Sequence, residues 1–165
     1  MSKLFPQPSE AQTATIMRLR RLSRLLDSAI RIPGTSYRIG LDPLFGLFPG
    51  GGDFLGTALS AYIVIEAARM GVSRAALAQM VSNIIVDTVS GSVPVLGDLV
   101  DLTWKANVKN MVLLEEHLNI PHPQPRKQTD WLFLALLLAG LLLVVIVMAA
   151  ISVMLLRWLW TSLFG

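Results

Sequence analysis

The chain has no cysteine and only two histidines among its 165 residues. Without thiols it can form no disulfide, present no thiolate to a metal and use no cysteine nucleophile. Charge is scarce as well. Charged residues make up 15% of the chain and hydrophobic ones 53%, whereas a soluble domain ordinarily carries about 25% charge. The deficit is concentrated in one place, because Leu132 to Leu156 holds no charged residue across 25 positions. The averages therefore combine one modest domain, the most that this length admits beside appendages, with an extremely apolar tail.

Catalytic signatures are missing too. His117 and His122 flank a proline-rich stretch with no evident acidic partner, and Ser73, Ser82, Ser90 and Ser92 stand outside any recognisable nucleophile setting. Gly50-Gly51-Gly52 lacks the Lys-Ser/Thr that completes a phosphate-binding P-loop. The expectation is a protein that is not an enzyme and uses neither cofactor nor metal.

What is present begins with the tail. At a rise of about 1.5 Å per residue, Leu132–Leu156 reaches roughly 37 Å, enough to cross about 30 Å of hydrocarbon with some tilt. Trp131 at one end, and Trp158 and Trp160 at the other, stand where an interfacial aromatic belt belongs. The pattern predicts a transmembrane helix over 131–160 and a short tail over 161–165, hence an integral protein with the lipid bilayer as partner. Arg126 and Lys127 precede the span and Arg157 alone follows it, so the positive-inside rule places residues 1–130 in the cytoplasm. Pro121, Pro123 and Pro125 predict an extended linker over 120–130 that separates domain from anchor.

The other end of the chain is basic. Six of the fourteen Lys and Arg residues, Lys3, Arg18, Arg20, Arg21, Arg24 and Arg31, fall within the first 31 positions, opposed by Glu10 and Asp27. After a flexible stretch over 1–8, Ser9 and Gln12 have capping-box spacing and Pro33-Gly34 closes the segment, which predicts an amphipathic helix over 9–32. Its apolar half comprises Ile16, Leu19, Leu22, Leu25, Leu26, Ala29 and Ile30; its polar half holds Arg20, Arg21, Arg24, Asp27, Ser28 and Arg31. Two readings fit: a helix whose arginines (Arg18, Arg20, Arg21, Arg24, Arg31) meet anionic lipid head groups, or a domain helix with a solvated basic face. No aromatics are interleaved with these arginines, so nucleic acid is not an expected partner.

Between these ends lies a repeat. Asp42, Gly46, Pro49, Gly52 and Asp53 recur 45 residues later as Asp87, Gly91, Pro94, Gly97 and Asp98, both copies reading D-x3-G-x2-P-x2-G-D. Each copy sits between helical stretches. Phe54 to Met70 reads as a helix ended by Gly71, Ser73 caps a second running to about Val89, and Asp98 opens a third running to about Leu118. Asp53 and Asp98 then serve as N-caps. The competing reading makes Asp42, Asp53, Asp87 and Asp98 ion or proton ligands near broken helices. Farther along, Asp101 and Lys105 have the spacing of a helical ion pair. Asn107 and Asn110 fall on the apolar side, where a buried amide needs partners such as Asn83 and the motif aspartates, in a structural polar network or a ligand site.

The residues Leu41-Asp42-Pro43-Leu44-Phe45-Gly46-Leu47-Phe48-Pro49-Gly50-Gly51-Gly52-Asp53, Val93-Pro94-Val95-Leu96-Gly97-Asp98 and Trp104-Lys105-Ala106-Asn107 with Asn110 carry a family resemblance. From about Leu22 to Leu118 the chain resembles domain-of-unknown-function family 4112. That resemblance implies a membrane-associated helical domain and no particular reaction, substrate or catalytic residue.

The expected architecture is all-α. A small helical domain with a duplicated Gly/Pro-broken helix motif occupies 33–119, joined to one C-terminal transmembrane helix. The expected function is a noncatalytic membrane-anchored scaffold or assembly partner, in a bacterial inner membrane, with a membrane protein or a second copy as possible protein partner. The alternative is a small ion or proton conductor built on the paired aspartates.

Overall fold

The computed structural model describes residues 9–31, 33–34, 38–41, 52–91, 105–119 and 129–164. Among these the fold is carried by helices α1 (Glu10–Ser28), α2 (Gly52–Arg69), α3 (Arg74–Gly91), α4 (Ala106–Asn119) and α5 (Trp131–Phe164). The architecture is all-α, as the sequence pattern predicts. A two-rung antiparallel ladder follows α1, pairing β1 (Ile30–Arg31) with β2 (Arg38–Ile39) through Ile30↔Ile39 and Arg31↔Arg38.

Helix α1 starts at the expected capping box. Ser9 Oγ accepts from the Gln12 amide at 3.2 Å, and Gln12 Oε1 accepts from the Ser9 amide at 2.9 Å, so two amides that the first turn leaves unpaired are satisfied reciprocally. The helix ends at Ser28 rather than 32, because Ile30 and Arg31 pair with the returning strand. Just past β2, the Leu41 amide donates to the Leu25 carbonyl at 3.1 Å. Gly40 is thereby pressed onto the end of α1.

The α2–α3 connection follows its sequence signals closely. Gly71 adopts φ +87, and the amides of Gly71 and Val72 donate to the carbonyls of Ala68 and Ala67. This is the Schellman pattern, in which a left-handed glycine lets the last carbonyls of a helix find donors. Ser73 Oγ then accepts from the Ala76 amide at 3.3 Å and caps α3. Four connecting residues make α2 and α3 an antiparallel hairpin.

The hairpin is the centre of the molecule. Ile63, Val64 and Ala67 of α2 and Leu77, Met80, Val81 and Ile84 of α3 are buried with Leu19 and Leu26 of α1, Met111 and Leu114 of α4, and Leu134 and Leu141 of α5. Helix α5 packs on α2 and α3, whereas α1 packs chiefly on α4 and α4 on α3. The hairpin thus separates α5 from the α1–α4 pair.

Three expectations are corrected. The helix expected to run from Asp98 to Leu118 has a boundary inside it, since Lys105 is not helical and α4 starts at Ala106. The N-terminal half of α5 is no detached anchor but part of the core, with Leu134, Leu141 and Val145 buried. Its C-terminal end continues to Phe164, through residues expected to form a tail. The linker segment 120–128 is outside the described residues.

Gly40 yields a direct prediction. A Cβ built on it would stand 1.4 Å from the Leu26 carbonyl oxygen and 2.7 Å from Asp27 Cα, both backbone atoms that cannot swing aside. Gly40→Ala must therefore push β2 off α1, and is expected to cost at least about 3 kcal/mol. Denaturant unfolding of the detergent-solubilised chain, followed by circular dichroism, measures it.

Candidate functional site

Helix α4 begins with a difficulty. Its N-cap position is Lys105, whose side chain cannot accept a hydrogen bond, so the first amides of α4 need an acceptor from elsewhere. Asp27 of α1 supplies it. Asp27 Oδ2 accepts from the Val108 amide at 2.8 Å, the Asn107 amide also donates to this carboxyl, and Oδ1 accepts from Asn107 Nδ2 at 2.8 Å. A side chain 81 residues away in sequence from Val108 performs the capping, and its charge lies at the positive end of the helix. Lys105 Nζ donates to Ser28 Oγ at 2.9 Å, placing a cation beside the same carboxyl.

A second link lies one turn further along α4. Asn110 Oδ1 accepts from Asn83 Nδ2 at 2.9 Å while Asn110 Nδ2 donates to the Met80 carbonyl at 3.1 Å, tying α4 to α3. Asn107 and Asn110 are both fully buried, and Asp27 and Asn83 nearly so. The result is a buried polar seam that joins α1, α3 and α4.

Burial pushes the Asp27 carboxyl above its ordinary value of 3.8, while the hydrogen bonds from Asn107 and Val108 and the Lys105 charge pull the other way. Among the described residues Asn107 Oδ1 meets no donor. The pair consequently has two hydrogen-bonded forms. The ionised carboxylate accepts from Asn107 Nδ2; a protonated one can donate to Asn107 Oδ1 after the amide turns over.

The residues singled out in the sequence divide into three groups. Lys105, Asn107 and Asn110 come together here, with Asn83 as expected. Gly52 and Asp53 are the first two residues of α2, which puts Asp53 one position inside the helix instead of at its N-cap; Gly91 is the last residue of α3, and Asp87 is half-buried in that helix. Asp42, Gly46, Pro49, Pro94, Gly97, Asp98 and Asp101 are outside the described residues. Lys105 directly precedes α4 and donates to Ser28, and the pairing expected of it with Asp101 lies outside the described residues.

Asp27 itself was expected on the polar face of α1. It is buried, whereas Leu25 is 50% exposed. A signal was available: Asp27 follows the buried Leu19 and Ser23 at helical spacing and adjoins Leu26. Of the basic residues, Arg20 is held by Glu115, with Nε and Nη2 at 3.0 and 2.8 Å from one carboxylate oxygen, while Arg18, Arg21 and Arg24 are exposed. The Arg31 side chain is outside the description; its backbone lies in β1.

The polar seam and four of the five helices fall within one sequence family. The family model described as Domain of unknown function (DUF4112) matches residues 15–118, more than half of the chain. The chain belongs to this family. The DUF4112 match begins inside α1 and ends in α4, starting somewhat before the Leu22 of the sequence resemblance and leaving α5 as an addition. No curated protein and no solved structure matches the chain significantly.

Asp27→Ala strands the Val108 amide and Asn107 in a dry interior and is expected to cost about 2–4 kcal/mol, against a smaller loss for Asp27→Asn, which keeps one acceptor and can match a turned-over Asn107. Because the folded carboxyl titrates above the unfolded one, its contribution is fully present below 3.8 and declines as pH rises through the folded value. Unfolding free energies of wild type and Asp27→Asn, measured across the acid range, should converge or cross in the variant's favour as pH rises. Asn110→Ala removes the partner of Asn83 and is expected to cost about 1–3 kcal/mol, with the same unfolding assay as the check.

Proposed function

We propose that the chain is a noncatalytic, membrane-anchored helical protein, in which α5 crosses a bilayer and the DUF4112 domain serves as a scaffold or assembly partner at the membrane. The observation that carries this reading is the exposure of α5. It is long and apolar enough to span a membrane, yet only 17% of its most apolar window is buried. A core helix of a soluble protein would hide such a face, and 34 residues are more than an interior helix of this domain needs.

The basic helix supports a second contact. The exposed face of α1 carries Arg18, Arg21 and Arg24 interleaved with Met17 and Leu25, which are 52% and 50% exposed. Arginines beside solvent-facing apolar groups suit anionic head groups with acyl chains beneath them. By the positive-inside rule, Arg126 and Lys127 against Arg157 keep residues 1–130 in the cytoplasm, facing the inner side of a bacterial inner membrane. A membrane protein or a second copy is the protein partner that an otherwise unbranched anchor would gather.

Flotation with phosphatidylcholine–phosphatidylglycerol vesicles tests the proposal. The full chain is expected to float and to resist extraction by high salt and alkali, while a chain ending at Asp130 is expected to lose that resistance. A full chain that stays monodisperse in buffer without detergent contradicts the anchor. In the same vesicles, ion or proton flux that vanishes in a folded Asp42→Asn, Asp53→Asn, Asp87→Asn, Asp98→Asn variant replaces the scaffold with the conductor.

A further inference from the structure

The start of α5 is locked to the turn of the α2–α3 hairpin. Asp130 Oδ1 accepts from the Phe133 amide at 2.9 Å and caps α5, while Oδ2 pairs with Arg74 at the start of α3. Thr129 Oγ1 donates to the Ala68 carbonyl at 2.9 Å, and the Arg74 guanidinium lies 5.3 Å from the centre of the Phe133 ring. Glu66 and Arg69 pair at the end of α2, so the charges of these elements gather at one level. Helix α5 then shares the core of the hairpin through Leu134 and Leu141, is buried as far as Val145, and runs in the direction of α3.

Distances along the helices bring three features to a second level. Phe54 in α2, Val89 in α3 and Val145 in α5 each lie 15 residues from Arg69, Arg74 and Asp130 respectively, about 22 Å up from the charged end. There α5 leaves the bundle, and there Phe54, Leu55, Val86 and Val89 are exposed. This apolar rim lies beside the base of an apolar mast.

The length of the mast decides what the rim meets. From Ile146 to Leu156 only 11 uncharged residues are clear of the bundle before Arg157, about 16 Å of helix against roughly 30 Å of hydrocarbon. Centring the span farther along would place Arg157 near mid-bilayer, at about 2.5–3.5 kcal/mol or more. Twenty residues counted back from Leu156, about 30 Å, instead reach Leu137, inside the docked half of α5. From Tyr62 back to Phe54, the part of α2 beside this docked stretch carries no charge. The corresponding part of α3, from Val81 to Val89, contains Asp87, which is half-buried and has a partner.

We infer that the end of the α2–α3 hairpin bearing Phe54, Leu55, Val86 and Val89 is seated in the acyl chains of the near leaflet, beside α5. The inference rests on α5 crossing the bilayer. It makes the domain a partly sunk body with one orientation.

The absence of native cysteine allows a direct test on the full chain. Leu55→Cys, Val89→Cys, Ala75→Cys and Met154→Cys, all at exposed positions, are labelled with an environment-sensitive fluorophore in phosphatidylcholine–phosphatidylglycerol vesicles. Quenching by acyl-chain nitroxides is expected at positions 55, 89 and 154, and several-fold stronger quenching by aqueous iodide at 75. Iodide access at 55 and 89 equal to that at 75, with 154 still in lipid, overturns the seated rim and leaves the anchor standing. Iodide access at 154 as well overturns the anchor, and the rim with it. Circular dichroism of each labelled variant, matched to wild type, keeps misfolding from imitating either result.

Discussion

The carboxylate of Asp130 fixes the relation between the two halves of this protein. One oxygen caps α5 and the other holds Arg74, so the helix that leaves the domain starts at a defined point on the α2–α3 turn. An exposed ion pair contributes little by itself. Here it acts with the Thr129 bond to Ala68 and with the burial of Leu134, Leu141 and Val145, which together hold about three turns of α5 against the hairpin. A rigid junction follows. A flexible tether would let the domain wander relative to α5, whereas this joint ties the angle of α5 to that of the hairpin.

The polar seam solves the opposite problem, that of building a core from helices with too little amphipathicity. Helix α2 and helix α3 are apolar around much of their circumference, because each is covered by α5 on one side and by α1 or α4 on the other. Uniformly apolar surfaces pack tightly but specify register poorly. Asn83, Asn107, Asn110 and Asp27 supply what is missing, since each finds its partner at one register only. Displacing α4 by a turn would break the bonds that tie Asp27, Asn107 and Asn110 across it, and each buried group left unsatisfied costs about 1–3 kcal/mol.

Local signals in the sequence were readable where the cause was local. Ser9 and Gln12, Gly71, Ser73 and the uncharged run after Asp130 each determine structure within a few residues of themselves, and each stands where the pattern places it. Readings failed where the cause was distant. Lys105 is a poor N-cap, so nothing nearby announces a helix at Ala106; the acceptor arrives from α1. Asp27 reads as a surface charge until that tertiary role is known, and α1 turns it inward while Leu25, on the apolar half, is exposed. Of the candidate site, Asn107 and Asn110 were legible as buried amides in want of partners and Asn83 as one such partner, whereas Asp27 was not.

Docking of α5 was hidden for a related reason. Hydropathy measures whether a segment prefers to leave water, and lipid and protein interior satisfy that preference alike. A run of 25 uncharged residues therefore cannot state which of its turns face acyl chains and which face Ile63 or Met80. Position supplies the distinction. The half of α5 nearest the domain is already partnered by protein, so a bilayer crossed by α5 would have to accommodate that protein too or admit Arg157. The α2–α3 hairpin offers a largely uncharged flank at the required height, with α1 and its arginines on the layer farther from α5. In the proposed seating both ends of the conflict relax together: the rim would meet acyl chains, Arg157 would stay at the opposite interface with Trp158 and Trp160, and the exposed arginines of α1 would face the head groups.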